Sequence, residues 1–432
     1  MASRLRSKLD DPRCVPRAIA IALGVVFLLQ MAGLAIHAMP GDLVLYFDYA
    51  NHIKDGHVPY RDFQMEYPPL ALAPILLAFV PSHIVGGFFT GFEILFAIES
   101  YLLALGAGLI VWSLMQRLLP EESLRQHQLR LGAYVVAFPL LGQLAITRFD
   151  LTPTFLTLAA VALWLRRTPR SEAGAWLVLA LAVGVKLVPV IIGPLLIIDL
   201  LARRGFRAAV LHGLGFTSLL ALLLLPGLAL SRSGYEAAYT YQMDRGIQME
   251  SLYANALLLL SKIGRVEIVT AHAWGSFEYV STWTAPLRTV SSLVQISLLT
   301  AVYAGFAFVR FRARDDDRHD IRLVTAVTLV LLTFVATGKV FSPQYLIWLM
   351  PFVVLLPGRL GRRTIALFLL TLVASQLIFP WFYSPLRHQA IWAALLLTAR
   401  NLMIIALLGL VVTILVSLRS PRSEAAQSVE QA

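Results

Sequence analysis

Acidic and aromatic residues follow the first long apolar run of the chain in a pattern that suits general base chemistry. Asp42 comes directly after that run, and Tyr46, Asp48 and Tyr60 follow. A carboxylate at the edge of a membrane, among aromatic side chains, is partly desolvated and can accept a proton from a hydroxyl group. Asp42 is therefore the first candidate for a general base, and Asp48 is the competing candidate. Alternatively, Asp42 only caps the helix that follows it.

Isolated cations stand beside apolar runs or in long polar segments farther along the chain. Lys186, Arg245 and Lys339 are the three that suit a binding role. A charge at membrane depth costs about 2.5 to 3.5 kcal/mol to insert, so such residues usually pair with an acid, reach the interface or serve a site. We expect these cations to bind the phosphate of a lipid-linked substrate. The alternative is that each side chain only extends to the interface.

Further polar residues are candidate substrate contacts: Tyr46, Tyr60, Tyr67, Glu250, Gln344 and His388. The segment around Glu250 also fits an amphipathic lid, and His388 also fits a surface position. In the last apolar run, Arg400 and Asn401 are expected to hydrogen-bond to each other or to nearby backbone. The chain has no phosphate-binding loop, dinucleotide motif or His/Cys metal motif. A divalent metal stays open, because four acids of the first polar segment could gather around one: Asp42, Asp48, Asp62 and Glu66.

The composition excludes a soluble protein. Of the 432 residues, 58% are hydrophobic and 14% are charged, against roughly 45 to 50% apolar residues in soluble domains. The net charge of +11 does not indicate a nucleic-acid partner, because the basic residues lie in short tracts between apolar runs rather than on one soluble face. Cys14 is the only cysteine, so no disulfide can form within the chain.

The apolar runs predict an all-α polytopic membrane protein with about twelve transmembrane helices. The firmer spans are 18 to 37, 88 to 116, 131 to 147, 150 to 166, 207 to 230, 287 to 310, 321 to 337, 363 to 380 and 389 to 417. The run 173 to 201 is interrupted by Lys186 and Pro189, which predicts two short crossings that meet at the outer surface. A short crossing at 343 to 357 completes the set. The proline-rich stretch 67 to 83 is expected to be re-entrant or to lie on the surface.

The distribution of charge orients these helices. Lys and Arg are concentrated in the segments that this layout places inside, as expected of cytoplasmic loops. Both termini are therefore expected in the cytoplasm, and the first apolar run is an uncleaved helix rather than a signal peptide. Residues 38–87, the first long segment, and residues 231–286, the second long segment, are then outside. We expect one membrane domain over residues 1–418 and a disordered cytoplasmic tail over 419–432.

Several of these motifs, taken in order, resemble the GT-C class of glycosyltransferases, and specifically glycosyltransferase family 87. The resemblance lies in Asp42 with Tyr46, Ala50, Gly56 and Pro59-Tyr60; in Tyr67-Pro68-Pro69-Leu70; in Lys186 with Pro189; in Arg245-Gly246 with Glu250-Ser251-Leu252; and in Phe341-Ser342-Pro343-Gln344-Tyr345-Leu346. Each motif is short and degenerate, but together they extend over most of the chain. The turn Arg148-Phe149-Asp150 departs from the more neutral sequence expected there. The role of that turn is therefore in doubt.

The resemblance implies a GT-C-like fold whose extracytoplasmic loops form the active site. It implies an enzyme that transfers a hexose, commonly mannose, from a polyprenyl-phosphate donor to an extracytoplasmic glycolipid or glycan, with inversion and with Asp42 as the base. The partners would be that donor, a lipid or glycan acceptor and membrane lipids, and the location would be a bacterial-type cytoplasmic (inner) membrane. A transporter or flippase of a lipid-linked or anionic substrate is the alternative, although no internal repeat is visible.

Overall fold

The structure, a computed structural model, describes residues 12–37, 41–85, 89–312 and 318–418. Helices predominate among these residues. In chain order they are α1 (Val15–His37), α2 (Leu43–Lys54), α3 (Leu72–Val85), α4 (Phe89–Leu118), α5 (Leu124–Leu140), α6 (Leu151–Trp164), α7 (Pro169–Val185), α8 (Gly193–Leu230), α9 (Arg232–Asp244), α10 (Leu252–Lys262), α11 (Thr284–Arg312), α12 (His319–Thr337), α13 (Gly358–Gln376) and α14 (Ile391–Ser417). The expected tail at 419–432 lies outside the described residues.

Seven helices in the described part of the chain are long and apolar enough to cross a membrane. They are Pro12–Ala35, Phe89–Leu118, Val188–Leu230, Thr284–Arg312, His319–Thr337, Gly358–Trp381 and Ile391–Ser417. The prediction of a helical protein embedded in a membrane is confirmed at this level. The count of about twelve crossings stays a prediction, because several of the expected spans form shorter helices, such as Leu151–Trp164.

The chain breaks at Lys186, as the sequence predicts. Helix α7 ends at Val185, Lys186 is extended, and a 3-10 turn at Val188–Ile192 leads into α8. Pro189 lies in that turn, where its missing N–H costs no helical hydrogen bond. A second break lies inside α8 at Gly205, whose φ of 80° is a conformation that favours glycine.

Helix α12 is the centre of the bundle. Its apolar window is 89% buried, compared with 11% for the windows in α8 and α11. Its threonines do not leave polar groups unsatisfied in this core, because their hydroxyls donate to the carbonyl four residues earlier. This applies to Thr325, Thr328, Thr333 and Thr337.

The expected crossing at 343 to 357 is not a continuous helix. A 3-10 helix at Pro343–Trp348 is followed by a single α-turn at Met350–Val353. Pro343 and Pro351 lack an N–H and lie at the first turns of these two pieces. The segment is nevertheless buried, and it presents Tyr345 and Trp348 toward Lys186.

The two long segments are also structured. The first contains α2 and α3, and α3 covers the proline-rich stretch that was expected to be re-entrant or at the surface. The second contains α9, α10 and an antiparallel hairpin of β1 (Val269–Ala273) and β2 (Ser276–Val280). Strand β2 also pairs with the chain just before α10, since Met249 N–H donates to the Phe277 carbonyl at 3.0 Å. The hairpin is therefore attached to the part of the segment that carries Arg245 and Glu250.

Candidate functional site

Asp42 forms an ion pair with Arg148 and does not cap α2. Its side chain makes no capping hydrogen bond to the helix. Its carboxylate contacts the Arg148 guanidinium instead, and the Tyr46 hydroxyl lies 3.5 Å from Asp42 Oδ2. The Asp42 side chain is 26% exposed. The capping interpretation is therefore wrong, and the carboxylate is within reach of a bound hydroxyl group.

Asp48 has different surroundings. It lies six positions after Asp42, and at about 100° per residue this places the two on different faces of the helix. The side chain is exposed, and within the described residues no hydrogen bond or ion pair involves it. Of the two candidates, Asp42 is the one that lies beside a cation and a tyrosine hydroxyl in the described part of the chain.

The expected tyrosines form a buried cluster next to Asp42. The Tyr46 ring lies 5.2 Å from the Phe149 ring and 6.2 Å from the Tyr67 ring. Tyr60 donates its hydroxyl to the Tyr67 carbonyl at 2.7 Å. Burial raises the pKa of Tyr46, Tyr60 and Tyr67. These hydroxyls therefore stay protonated and serve as hydrogen-bond donors rather than bases.

Lys186 already has a carboxylate partner. Its Nζ lies 2.7 Å from Asp150 Oδ1, and Trp348 Nε1 donates to the same oxygen at 2.7 Å. The ammonium group also lies over the rings of Phe149 and Trp348, at 5.4 and 5.2 Å from their centroids. The side chains of Lys186 and Asp150 are 16% and 2% exposed. The pair is therefore largely removed from water.

The turn that the sequence left in doubt connects these groups. Arg148 contacts Asp42, Phe149 enters the tyrosine cluster and Asp150 binds Lys186. The partners come from other helices, so the order of residues in the turn held no signal for them. We use the name acidic cluster for the following residues: Asp42, Tyr46, Tyr67, Arg148, Phe149, Asp150, Lys186 and Trp348.

A cavity beside the acidic cluster is too small to hold a substrate. It measures about 10 Å³, roughly the room that one water molecule needs. Its lining is mostly apolar and consists of Pro153, Thr154, Thr157, Lys186, Val188, Pro189, Leu331 and Trp348. This cavity therefore has no room for a sugar or a phosphate group.

Arg245, Arg288 and Lys339 form a second group, which we call the basic cluster. Arg288 Nη2 donates to the Met243 carbonyl at 3.2 Å, and Lys339 Nζ donates to the same carbonyl. Burial, together with repulsion from Arg288 and Arg245, lowers the pKa of Lys339. Positive charges placed this close favour binding of an anion, because an anion relieves their repulsion.

Three acids border the basic cluster. Asp244 Oδ1 lies 3.3 Å from Arg288 Nη2, and Asp244 also attracts Lys339. Glu278 Oε1 accepts the Gly246 N–H at 3.0 Å. Glu66, from the first long segment, accepts the Gln242 side-chain amide N–H at its backbone carbonyl at 3.3 Å, and its carboxylate lies near Tyr241 and Arg245. Burial raises the pKa of Glu66 and of Glu278. The sequence singled out Glu66 only as a possible metal ligand, whereas the structure makes it a link between the two long segments.

Glu250 lies beneath the basic cluster in a buried polar layer. Arg400 Nη2 donates to the Glu250 carbonyl at 2.7 Å and lies 3.6 Å from its carboxylate. Gln248 Oε1 accepts the N–H groups of Glu250 and Phe341, each at 3.2 Å. Burial raises the pKa of Glu250 to about 7. Glu250 is 1% exposed, so a substrate contact would require the layer to open.

Of the two alternatives for Arg400 and Asn401, binding to neighbouring backbone is found for Arg400, which donates to the Glu250 carbonyl. They do not bind each other: Arg400 binds Glu250, and Asn401 Nδ2 donates to Asn255 Oδ1 at 3.3 Å. Positions 400 and 401 point in different directions on a helix, so each meets a different neighbour.

Gln344 and His388 stand apart from both clusters. The Gln344 side chain accepts a hydrogen bond from the Ser342 hydroxyl. His388 is exposed, and its Nδ1 lies 2.8 Å from the Ser384 carbonyl, which agrees with the surface interpretation.

The four acids considered for a metal do not converge. Asp62 pairs with Arg61 at 2.9 Å, Asp42 with Arg148, and Glu66 faces Tyr241. Throughout the described residues, no group of three or more His, Cys, Asp or Glu side chains could hold a metal ion.

Comparisons with known proteins do not assign the chain to a family. The sequence matches no model of a protein family and no curated protein. The functional assignment therefore rests on the residues and on their geometry.

Proposed function

We propose that the protein is an integral membrane glycosyltransferase of the GT-C class, similar to family 87. It would transfer a hexose, mannose in the first instance, from a polyprenyl-phosphate donor to an extracytoplasmic glycolipid or glycan. The observation that carries this proposal is the combination of an accessible carboxylate, Asp42, with a cluster of three cations. Asp42 lies in the first long segment and Arg245 in the second, and the two segments are joined by Gln242, whose side-chain amide N–H donates to the Glu66 carbonyl at 3.3 Å.

Each group has a role in a direct displacement. Asp42 removes the proton from the acceptor hydroxyl as its oxygen forms a bond to the anomeric carbon of the donor. The bond from that carbon to the phosphate oxygen breaks through an oxocarbenium-like state, and the phosphate leaves with the electron pair. Arg245, Arg288 and Lys339 stabilise the charge that grows on the phosphate. A single displacement of this kind inverts the anomeric configuration.

Lys186, expected from the sequence to bind the phosphate, receives a different role in this proposal. Its ammonium group already lies 2.7 Å from the Asp150 carboxylate. Withdrawing it would leave Asp150 buried and unpaired, which is costly. We assign Lys186 to holding the turn that places Arg148 beside Asp42.

A transporter is the second candidate, and one observation favours it. Asp199 is 1% exposed inside the bundle, and it accepts hydrogen bonds from Arg203, Arg310 and Trp164 at 2.8 to 2.9 Å. Buried charges of this kind occur along transport pathways. However, the ion pairs of Asp199 with Arg203 and Arg310 already account for the burial of these charges.

The deciding experiment is a transfer assay in liposomes. Purified protein is supplied with radiolabelled polyprenyl-phosphate-mannose and extracted membrane lipids. Asp42→Asn is run in parallel, with Asp48→Asn as the matched control. Product from wild type and from Asp48→Asn, but not from Asp42→Asn, is expected. If donor crosses the bilayer without forming product, the transporter replaces this proposal, and full turnover by Asp42→Asn would overturn the choice of base.

A further inference from the structure

The tip of the hairpin holds a tryptophan in an unfavourable backbone conformation. Ala273 and Ser276 pair across the two strands, so Trp274 and Gly275 form a two-residue turn with φ of 54° and 66°. Turns with two positive φ values favour Asn-Gly or Gly-Gly, because a bulky side chain is strained there. A strained residue at an exposed tip points to a role for its side chain.

The Trp274 ring packs against Tyr241 rather than pointing away from the protein. Its centroid is 5.0 Å from that of Tyr241, in an edge-to-face arrangement. The backbone of the turn is also close to Tyr241, because a Cβ atom placed on Gly275 would lie 3.4 Å from the Tyr241 hydroxyl oxygen. Trp274 nevertheless keeps 37% of its surface exposed. One part of the ring is therefore packed, and another is free to contact a ligand.

Polar groups of both signs surround this aromatic pair. The Glu66 carboxylate lies near the Tyr241 hydroxyl and near Arg245, and Gln242, next to Tyr241, donates its side-chain amide N–H to the Glu66 carbonyl at 3.3 Å. Arg245 in turn donates to the Ser276 hydroxyl at 3.3 Å, next to the hairpin tip. An aromatic surface bordered by a carboxylate and a guanidinium suits a sugar. The C–H face of the sugar packs on the ring, and its hydroxyls bind the charged groups.

We propose that Trp274, Tyr241, Glu66 and Arg245 form a subsite for the carbohydrate of the acceptor. This rests on the proposed glycosyltransferase function and adds where the acceptor binds and what its chemical class is. Trp274 supplies the stacking surface, Glu66 accepts hydrogen bonds from sugar hydroxyls, and Tyr241 holds both in place. The subsite adjoins the basic cluster, so the acceptor sugar lies next to the donor phosphate.

Trp274→Asn provides a test in which loss of binding is separated from loss of folding. Asparagine followed by glycine is favoured in this turn, so the variant keeps the hairpin and removes only the ring. Trp283→Ala is the matched control, because Trp283 lies in the same segment and is 55% exposed, whereas the described ring contact with Tyr241 belongs to Trp274. Glu66→Gln tests the carboxylate.

Binding is measured directly with soluble methyl glycosides of mannose, glucose, galactose and arabinofuranose. Wild-type protein in nanodiscs is expected to bind at least one of them. Trp274→Asn should weaken that binding by about tenfold, the loss expected for one aromatic contact. Trp283→Ala should bind as wild type. Failure of wild type to bind any of the four, or unchanged binding by Trp274→Asn, would overturn the subsite.

A membrane anchor is the competing explanation for an exposed tryptophan. Brominated lipids in the nanodisc distinguish the two, because they quench the fluorescence of a tryptophan that lies in the bilayer. Loss of quenching in Trp274→Asn compared with wild type would place the ring in lipid and overturn the proposal. Equal quenching in the two proteins supports it.

The transfer assay separates failure of this subsite from failure of the proposed function. Sugar binding that depends on Trp274, without any transfer, would keep the subsite and remove the glycosyltransferase. If the protein transfers sugar and Trp274→Asn has the same acceptor KM as wild type, the glycosyltransferase function is supported and the subsite proposal is refuted. The expected result is a tenfold higher acceptor KM with an unchanged donor KM.

Discussion

Replacing Lys186 by Met tests whether this lysine pairs with Asp150 or binds the donor. Methionine keeps the length and the apolar stem of the side chain and removes the charge. Asp150, 2% exposed, would then be a buried carboxylate whose remaining described side-chain hydrogen-bond donor is Trp348 Nε1 at 2.7 Å, with the charge of Arg148 nearby. Breaking a buried ion pair in this way costs about 3 to 5 kcal/mol.

We expect a value near the lower end of that range. Lys186 is 16% exposed, so water partly screens the pair, and Trp348 still satisfies one oxygen of Asp150. A loss of about 3 kcal/mol lowers the equilibrium constant for folding by roughly a hundredfold. Lys186→Met combined with Asp150→Asn should recover most of this loss, because no charge is then left buried.

The assay is unfolding in detergent, followed by tryptophan fluorescence, for wild type, both single variants and the double variant. The double-mutant cycle isolates the interaction between the two side chains. The reasoning is refuted if Lys186→Met unfolds like wild type while its donor KM rises. That result would return Lys186 to the role of phosphate ligand that the sequence predicts.

Three further predictions concern the clusters. Asp42→Asn should reduce kcat by at least about a hundredfold, which is the usual contribution of a general base, while the donor KM stays the same. A kcat equal to that of wild type would show that Asp42 is not the base. Lys339→Ala and Arg245→Ala should each weaken the free energy of donor binding by about 1.5 to 3 kcal/mol, which is the range for a hydrogen bond to a charged group. Donor saturation curves identical to that of wild type would mean that the phosphate binds elsewhere. Burial raises the pKa of Glu250 from 4.5 to about 7, so the folded state binds the proton more tightly than the unfolded state. Stability should therefore fall by on the order of 3 kcal/mol as pH rises from 4.5 to 7. Glu250→Gln should flatten this slope and Asp48→Asn should not, and equal slopes in all three proteins would contradict the assignment.

Part of the candidate site could be predicted because its signal is local. Asp42 was chosen because it follows an apolar run, and the structure places it at the start of α2 with its side chain 26% exposed. Its alternative role as a cap could not be judged from sequence, because capping depends on one side-chain torsion. The break at Lys186 was predictable, since Pro189 and a charge interrupt a run that is too long for one crossing.

Other parts of the site had no local signal. The turn at Arg148 and Asp150 looked like a departure from the expected pattern, yet it supplies the partners of Asp42 and Lys186. Glu66 was one acid among four, and only its contact with Tyr241 distinguishes it. Trp274 attracted no attention in the sequence, because a single tryptophan in a loop does not reveal its φ angle or its neighbours.

The sequence by itself determined that the chain is helical and embedded in a membrane, because insertion of a helix depends on the hydropathy of a continuous run of about twenty residues. It also determined where polar residues interrupt those runs. Only the tertiary structure decided which polar groups meet, since the partners are far apart along the chain: Trp348 donates to Asp150 across 198 positions, and Arg400 donates to the Glu250 carbonyl across 150. Contacts of this kind depend on how the helices pack, and the residues next to either partner in the sequence do not indicate which distant residue it contacts.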